Sequence, residues 1–485
     1  MKYVSAVSFF LKKRPLMVLS TALLAVFFTL VMCSKTTVAP TAEADNTCTC
    51  GTLISINFGP EVPGDNKLVT GQVQANCFAW AEFVALNWPA SGNDFGTPGD
   101  MTPVQWETYM EREVLMTPDG SPPPAWGGLK APKAPARYAA FMKGQPEGTK
   151  LLYHVSKFNS HNFGVIDETG QAFPTNQPNW LGAQNNTNIW YEVLVNEDEY
   201  NYIVQKGYYN ANTQYDSVVV KGGRIDLPKG DEKRTGALEL KASWMEVTNP
   251  SDARWQRYKL SKAVLVDPNT GQPRNAVVAL IGLHILHKTA SQPTWFWATF
   301  EHVDNVPGIS GKAPAGGFNL FNPNCQPTQV KVPGGCGANK NKQDSVYTVG
   351  CTPNMEAPYY LCAGAGPTAM QVVREIPIDP EAQQANQLVQ SYIAQNFPGS
   401  VWANYQLVNM IWSTTPQTTQ NNLTPQSLKS MQPVIPVANT ASETFIQTAT
   451  CFACHQGAAL PPSAASSNNS KYASDFSFVF EFAKY

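Results

Sequence analysis

Three residues near the carboxyl end of the chain, Cys451, Cys454 and His455, have types and a spacing that suit covalent attachment of a cofactor. They form the pattern C-x-x-C-H, in which two thiols stand at positions i and i+3 and a histidine follows directly. Each thiol can add to one vinyl group of a haem, and the adjacent imidazole can bind the iron from the proximal side. The pattern therefore predicts one covalent haem c, with His455 as an iron ligand.

Two other chemistries use a C-x-x-C pair, and the surrounding sequence favours neither of them. A structural zinc site needs a second pair of ligands at suitable spacing, and no such pair accompanies Cys451 and Cys454. A redox-active dithiol of the thioredoxin kind is found in a βαβ setting, which this stretch lacks. Haem attachment remains the preferred interpretation.

The residues before the motif predict an element that would position it. Thr440 and Glu443 have the spacing of a capping box, which marks the start of a helix. Apolar residues then recur at helical spacing, namely Ala441, Phe445, Ile446, Ala449, Phe452 and Ala453. A short amphipathic helix would bring Cys451 and Cys454 to one face, because residues i and i+3 are neighbours there.

At these residues the chain resembles the c-type cytochromes, whose haem-binding motif also closes a helix. The larger part resembles, more loosely, the big exported single-haem cytochrome c family proteins of bacteria. Three segments carry this second resemblance: N-C-F-A-W-A-E-F-V-A-L-N-W-P from Asn76, T-W-F-W-A-T-F-E-H from Thr294 and A-N-T-A-S-E-T-F-I-Q from Ala438. The resemblance implies a haem and export, and it implies no particular reaction.

The second axial ligand of such a haem is not evident in the sequence. Residues 456–485 contain neither methionine nor histidine, and the last methionine is Met431. A sixth ligand must come from the larger upstream region, be an unusual residue such as Lys471 or Tyr472, or be absent. The upstream candidates, in order of preference, are His302, His284, Met355, Met410 and Met431.

A predicted β-hairpin is the reason why the two histidines are preferred to the methionines as the sixth ligand. Strands at 276–287 and 294–302 would pair Ala290 with Thr294, which places His284 opposite Phe300 and His302 opposite Gly282. In that register both histidines share one face of the sheet, and a slip of one residue would separate them. They could provide a distal ligand or an acid–base group beside the haem. They could equally be hydrogen-bonded histidines of an ordinary sheet.

The amino terminus has the features of an export signal. Three basic residues, Lys12, Lys13 and Arg14, precede an apolar run from Leu16 to Met32 that ends at Cys33. Residues 30–33 resemble a bacterial lipobox, with Met32 where a small residue is usual. A lipoprotein attached through Cys33, an uncleaved membrane helix, and a soluble form cleaved after 42–44 remain alternatives. All three predict an exported, periplasmic or cell-envelope protein, and the first two predict membrane attachment.

The other cysteines fit an oxidising compartment. Cys325–Cys336 and Cys351–Cys362 are predicted to close two loops, since each pair is eleven residues apart in sequence rich in Gly, Pro and Asn. Cys77 is predicted to pair with either Cys48 or Cys50, and the other of these two cysteines then has no predicted disulfide partner. A structural metal site at these cysteines is the alternative, although no histidine accompanies them.

Charge and composition argue against nucleic acid as a partner. Without the four basic residues of the first 32 positions, 30 of the 34 remain against 36 acidic residues, a net charge of about −6. No basic run and no alternation of basic and aromatic residues is present. Nucleotide-binding, hydrolase and zinc-protease motifs are also missing. The expected partners are therefore an exported redox protein or a small-molecule substrate.

The order of the predicted helices and strands along the chain indicates an α+β fold with a mainly antiparallel sheet, flanking helices and a short helical haem-binding segment. Helices are expected at 77–88, from Thr102 onward and at 380–396. Strands are expected at 190–195, 202–209, 217–220, 238–247, 258–266, 276–287 and 401–412. The corresponding organisation is a signal at 1–33, a tether at 34–47, a large domain at 48–435 with a disulfide-strapped loop region near 308–366, and a haem segment at 436–485.

Three functions are compatible with these features. Electron transfer between exported partners is the preferred one. A haem enzyme, resembling a peroxidase or an oxidase, would need an open distal position or a substrate site in the large domain. A haem-based ligand sensor is the third. The state of the sixth iron ligand separates them, since two strong ligands favour electron transfer and an open position favours chemistry or ligand binding.

Overall fold

The computed structural model describes most of the chain after its amino-terminal region. The described residues are 47–51, 54–65, 69–92, 94–128, 134–155, 180–231, 233–267, 270–308, 311–332, 343–355, 367–418 and 427–485. The predicted export signal, Cys33, nearly all of the tether, Cys336 and Cys362 lie outside these residues. The described residues belong to one compact unit.

The strands of the described chain number thirteen. In chain order they are β1 (Thr47–Cys50), β2 (Ile54–Asn57), β3 (Met110–Glu111), β4 (Lys150–Leu152), β5 (Ile189–Val195), β6 (Leu238–Glu246), β7 (Leu260–Val266), β8 (Pro273–His287), β9 (Phe296–His302), β10 (Thr328–Val332), β11 (Ser345–Val349), β12 (Tyr405–Ser413) and β13 (Met431–Gln432). Nine of them form one sheet. The strands predicted near 190, 238, 258, 276, 294 and 401 are confirmed within a few residues.

The sheet is antiparallel with one exception. Its main path runs β13-β12-β9-β8-β6-β5-β3, while β7 joins β8 at its side and β4 pairs with β7. Only the β4–β7 pair is parallel in the described part of the sheet. The α+β class and the mainly antiparallel sheet predicted from the sequence are thereby confirmed.

Both faces of the central strands are buried, so the sheet separates two layers of packing. Along β9, Phe296, Ala298 and Phe300 pack with the helices of one layer, here called the helix face. Trp297, between them, packs with Phe452 of the carboxyl-terminal segment on the other side, here called the motif face. The division follows from the two-residue period of a strand, which sends successive side chains to opposite faces.

Helices of the described chain are mostly short. They are α1 (Gln72–Leu86), α2 (Arg112–Leu115), α3 (Ala139–Met142), α4 (Glu197–Lys206), α5 (Ala211–Tyr215), α6 (Pro380–Asn396) and α7 (Cys451–His455). The two long helices, α1 and α6, correspond to predictions and pack on the helix face. Asp379 caps α6 by accepting a hydrogen bond from the N–H of Glu381.

Several local predictions are wrong. The strand expected at 202–209 falls mainly on α4, and the strand expected at 217–220 is a π-helical turn, Asp216–Val220, that continues α5. The helix expected from Thr102 is a 3₁₀ turn at Gln105–Thr108, followed by β3 and α2. In α4 the Asn196 cap and the first-turn residues Glu197 and Asp198 stabilise the helix, and they outweigh the aromatic, β-like composition of the segment.

The helix predicted from Thr440 to the motif is also wrong, because residues 440–450 form turns and only α7 is helical. The polar side chains of this stretch bind the sheet instead of supporting a helix. Asn439 donates to Thr299 Oγ1 at 3.0 Å, Thr440 Oγ1 donates to Glu301 at 2.8 Å, and Ser442 bonds to Ser243 at 2.9 Å. Such side-chain hydrogen bonds compete with the backbone hydrogen bonds of a helix.

The disulfides differ from the predicted pairing. Cys325 bonds to Cys351, so the predicted pairs Cys325–Cys336 and Cys351–Cys362 are both wrong. Cys50 bonds to Cys77, one of the two alternatives predicted for Cys77, and Cys48 is itself disulfide-bonded rather than left over. Spacing in the sequence could not decide these pairs because pairing depends on which loops the fold brings together.

The Cys50–Cys77 disulfide should contribute measurably to stability. It joins β1 to α1 in the core and closes a separation of 27 residues, for which chain entropy gives about 3 kcal/mol. We expect the double variant Cys50→Ser/Cys77→Ser to lose about that free energy of unfolding in guanidinium titrations. The matched control is Cys325→Ser/Cys351→Ser, which spans 26 residues but connects partly exposed loops that can open locally. Equal losses in both variants would contradict a special role for the core disulfide.

Candidate functional site

The three residues of the motif line one cavity on the motif face of the sheet. Cys451, Cys454 and His455 form one wall, and side chains of β5, β6 and β8 form the other. Its free interior is about 40 Å³, and the space reaches about 650 Å³ only when the open solvent at its mouth is counted. The tertiary structure thus brings the sequence-predicted attachment residues together and places them against the large sheet.

A short capped helix orients these residues. Thr450 begins α7 by accepting a hydrogen bond from the N–H of Ala453 through its hydroxyl oxygen, at 3.3 Å. Phe452 is fully buried and packs against Trp297 of β9, with ring centroids 6.2 Å apart. Because Phe452 points into the core, the helical period turns the two cysteines and His455 toward the cavity.

His455 is held rigidly in a defined tautomer. Its Nδ1 lies 2.9 Å from the carbonyl oxygen of Phe476. A carbonyl oxygen can only accept a hydrogen bond, so Nδ1 carries the hydrogen and the basic lone pair is on Nε2. The ring packs between Trp297 and Phe478, at centroid distances of 4.6 and 4.9 Å. Metal-binding histidines are commonly oriented by such a bond from the second ring nitrogen.

The loop that supplies this carbonyl is strained and strongly anchored. Asp475 and Phe476 have φ angles of 60° and 65°, in the left-handed region that non-glycine residues rarely adopt. The buried ammonium of Lys288 forms an ion pair with Asp475, and Trp295 Nε1 donates to the Asp475 carbonyl at 3.1 Å. The Leu227 N–H adds a bond of 2.6 Å to the Asp475 carboxylate. The large domain therefore determines where the acceptor for His455 lies.

The two cysteines are half-buried thiols. Burial raises the pKa of Cys451 well above its usual value, and the nearby carboxylate of Glu443 raises it further. A redox-active C-x-x-C pair normally has a lowered pKa, because the thiolate is the attacking species. The environment of Cys451 is therefore unlike that of a thiol–disulfide exchange site.

His284 lines the same cavity as the motif. It lies on β8 and is only 4% exposed. Its Nε2 is 3.3 Å from Glu443 Oε1, and within the described chain this nitrogen makes no hydrogen bond. Glu443 is therefore the carboxylate beside this nearly buried nitrogen, and a metal in the cavity would be bound through the other ring nitrogen, Nδ1.

His302 lies elsewhere, and the predicted hairpin register is wrong by one residue. In the structure His284 pairs with Thr299, and Gly282 pairs with Glu301. This slip sends His284 and His302 to opposite faces. His302 is fully buried against Tyr258, its Nε2 bonds to the Arg257 carbonyl at 3.0 Å, and its Nδ1 accepts from a backbone N–H at 3.1 Å. Burial lowers its pKa to about 4.

The structure does not bring the methionine candidates to the cavity wall. Met355 is 55% exposed in a loop, and Met410 is buried among the residues of the helix face. Met431 packs in the same apolar cluster as Phe452, but it is not among the residues lining the cavity. Of the five upstream candidates, only His284 lines the cavity that holds the motif.

Three further charged residues of the cavity were not recognised in the sequence: Glu239, Lys241 and Glu443. Burial alone would raise the pKa of Glu443, but His284 and Lys241 outweigh it and the pKa is lowered. Glu239 and Lys241 occupy alternate positions of β6, a strand otherwise rich in apolar residues. Charged residues two positions apart in a buried strand could have signalled a polar site, since such residues are seldom buried without a purpose.

The remaining features of the described chain add no competing site for a metal. No group of three or more His, Cys, Asp or Glu side chains in that part is arranged to hold a metal ion. None of its helices has both the length and the apolar character needed to cross a membrane. Comparisons with family models, curated proteins and solved structures found no match to this chain.

Proposed function

We propose that this chain is an exported c-type cytochrome, which binds one haem covalently and transfers electrons. The observation that carries the proposal is the convergence of Cys451, Cys454 and His455 on one cavity, with His455 Nδ1 bonded to the Phe476 carbonyl. The two thiols would hold the haem through thioether bonds, and His455 Nε2 would be the proximal ligand. A haem bound there supplies a one-electron iron couple.

The side chains around the cavity match this group in chemical character. Apolar side chains from both walls, including Val193, Leu286 and Ile446, provide surface for a porphyrin. The raised pKa of Cys451 keeps its thiol protonated, which favours a structural attachment residue over a redox dithiol. Export to an oxidising compartment agrees with the Cys50–Cys77 and Cys325–Cys351 disulfides.

We assign the distal position to His284. A histidine that binds a metal through one ring nitrogen usually has a carboxylate or carbonyl beside the other, and Glu443 lies 3.3 Å from His284 Nε2. Which nitrogen faces the carboxylate depends on the orientation of the ring. Two histidine ligands would make the iron six-coordinate and low-spin, which favours electron transfer over binding of a small substrate.

A haem enzyme is the second candidate, and a specific observation favours it. His284, Glu443, Lys241 and Glu239 place several titratable groups inside the cavity, which electron transfer alone does not need. Burial and Glu239 raise the pKa of the neighbouring Glu199, so a proton can be held beside the cavity. In that case His284 would be an acid–base group and would not bind the iron.

Covalent attachment is tested directly by expression in a host with cytochrome c maturation. The purified mature protein should have the mass of the polypeptide plus one haem and should retain the haem in acidified acetone. Cys451→Ala/Cys454→Ala should remove the covalent haem, because no thioether can form. The matched control is Cys50→Ser/Cys77→Ser, which removes two other cysteines and should keep the haem. A folded, full-length protein without haem from that host would contradict the proposal.

A further inference from the structure

Two buried glutamates, Glu199 of α4 and Glu239 of β6, meet beside the cavity of the motif. Glu199 is fully buried, and Glu239 is nearly so and is one of the residues that line the cavity. We propose that these two side chains, here called the glutamate pair, bind one proton whenever the protein is reduced by one electron. The proposal rests on the proposed function, which supplies a haem iron to hold that electron.

The contact between the two carboxyl groups requires a hydrogen. Within the described chain, no amide, hydroxyl or ammonium donor bonds to either oxygen of the Glu199 carboxyl group. Its hydrogen-bonding neighbour is instead the carboxyl group of Glu239. Ionised carboxylates can only accept hydrogen bonds, so one of the two groups must carry a proton for this bond to exist. A buried carboxyl group that lacks other donors is also far less costly when it is neutral.

The charges around the glutamate pair act in the same direction. Burial raises the pKa of Glu199 well above its usual value, and Glu239 and Asp475 raise it further. Lys288 lowers it, but this ammonium is shared with two other carboxylates, those of Asp475 and Asp226. The cation therefore offsets only part of the rise, and the pair keeps its proton to a higher pH than an exposed glutamate does.

Further titratable groups lie on the elements that surround the pair. They are Asp198 on α4, and Lys241, His284, Glu443 and the three motif residues on the walls of the cavity. In the register of β6 and β8, Glu239 lies opposite Leu286, whereas His284 lies opposite Lys241. The glutamate pair is thus beside the cavity, but Glu239 is not the cross-strand partner of the proposed distal ligand.

A row of ionisable side chains connects the glutamate pair with solvent. The row begins at Asp226, whose side chain is 28% exposed, and continues through its ion pair with Lys288 at 2.8 Å. Lys288 also pairs with Asp475, which is close enough to Glu199 to raise its pKa. Protons can therefore be exchanged with water along this row without passing through the cavity.

The coupling follows from charge balance. The exported redox partner donates one electron, which removes one positive charge from the cavity, and water supplies one proton, which binds a carboxylate oxygen of the pair. Both leave again on reoxidation. A less positive cavity favours the protonated form of a carboxyl group, so the pKa of the pair is higher in the reduced protein than in the oxidised one. The reduction potential should therefore fall as pH rises through the interval between these two pKa values.

Redox potentiometry of the haem-loaded mature protein over a range of pH is the experiment. Loss of one nearby unit charge changes the acid dissociation constant of a carboxyl group about tenfold. The potential should accordingly fall by about 59 mV in total between its acidic and alkaline plateaus. Glu199→Gln should remove most of this fall, because an amide has the shape of a protonated carboxyl group but does not titrate in this range.

Glu82→Gln is the matched control. Glu82 is also fully buried with a raised pKa, but it belongs to α1 on the helix face and is bound to His287. This variant should keep the fall of potential with pH. Infrared spectroscopy of the same full-length preparations provides a readout that needs no haem. The carbonyl stretch of a protonated carboxyl group should be present at neutral pH, and Glu199→Gln should lose a component that Glu82→Gln retains.

Three results would overturn the coupling alone, with the haem intact. They are a wild-type potential that does not change with pH, a Glu199→Gln variant that keeps the full pH dependence, and an infrared spectrum that Glu199→Gln leaves unchanged. Covalent haem content, measured first on each preparation, distinguishes these results from a failure of the proposed function. A mature protein without covalent haem would contradict that function and the coupling together.

Discussion

Replacement of His284 by alanine should convert a six-coordinate, low-spin haem protein into a high-spin protein that binds carbon monoxide. His284 is the only upstream ligand candidate that lines the cavity of the motif. Removing its imidazole would leave the distal side without a strong ligand, because Lys241 and the carboxylates bind haem iron less readily. The visible and near-infrared spectra, recorded with and without carbon monoxide, measure the change. Haem content should stay at one per chain, since the thioether cysteines are untouched.

His302→Ala is the matched control for this experiment. His302 is also a buried strand histidine, but its two nitrogens bond to backbone groups and its ring stacks on Tyr258 at 3.8 Å. Its loss should lower stability and leave the haem spectrum unchanged. His284→Met should remain six-coordinate if the thioether reaches the iron, with a higher reduction potential than the wild type.

The same experiment separates electron transfer from enzymatic activity. If the wild type already binds carbon monoxide and is high-spin, His284 is not an iron ligand, and the acid–base role beside Glu443 becomes the better interpretation. If His302→Ala, and not His284→Ala, alters the spin state, the assignment from the sheet register is wrong. Each outcome is visible in the spectrum and needs no knowledge of the redox partner.

Lys288→Met should cause the largest loss of stability among single substitutions at the site. The Lys288 ammonium is fully buried and forms ion pairs with Asp475 and, at 2.8 Å, with Asp226. Removing one member of a buried ion pair leaves the other charge uncompensated and typically costs about 3–5 kcal/mol. Guanidinium unfolding of the haem-loaded protein measures the change. Lys221→Met is the control, because Lys221 pairs with Asp216 on the exposed surface, where a pair contributes about 1 kcal/mol or less.

The Lys288 substitution should also affect the proposed haem site. Asp475 and Phe476 keep their positive φ angles only while their surroundings hold them, and Phe476 supplies the carbonyl that orients His455. We therefore expect Lys288→Met to broaden or shift the haem absorption bands as well as lower stability. The double variant Lys288→Met/Asp475→Asn should recover part of the lost free energy, since no buried charge is then left alone. A double variant as unstable as the single one would contradict this account.

The pH dependence of the Lys288 variant follows from Asp475. Burial raises the pKa of Asp475, and Lys288 offsets only part of that rise. The folded state therefore binds a proton more readily than the unfolded state, and this contribution to stability falls as pH rises through the interval between the two pKa values. Without Lys288 the folded-state pKa rises further. The free energy of unfolding that Lys288→Met loses relative to the wild type should accordingly be smaller near about pH 5 than near about pH 8.

Much of the architecture could be predicted from the sequence because the relevant signals are local and long. The strands β7 and β8 contain several valines or isoleucines among other apolar residues, and β6 begins with alternating apolar and charged residues. The helix α6 begins at Asp379 and Pro380, as expected for a capping residue and a first-turn proline. Shorter segments were predicted less well. The stretch at 202–209 is aromatic like a strand, but an asparagine cap and an acidic first turn make its first half part of α4.

The carboxyl-terminal segment shows why a correct local signal can still be overridden. Thr440 and Glu443 have the spacing of a capping box, yet Glu443 bonds to the N–H of Asn439 and Thr440 bonds to Glu301 of the sheet. Asn439 is a local partner of Glu443, but Glu301 lies 139 residues before Thr440, so no local pattern could reveal the bond between Thr440 and the sheet. The polar side chains gain buried hydrogen bonds to the sheet that a solvated helix would not offer.

By itself, the sequence predicted the proposed attachment residues, since C-x-x-C-H is a local constellation and helical spacing turns Cys451, Cys454 and His455 to one side. Only the tertiary structure decided what faces them. A slip of one residue between β8 and β9 separates His284 from His302, because successive side chains of a strand point to opposite faces. The Phe476 carbonyl and the Lys288–Asp475 ion pair likewise come from distant parts of the chain, and only the packing of the carboxyl-terminal segment on the sheet brings them to His455.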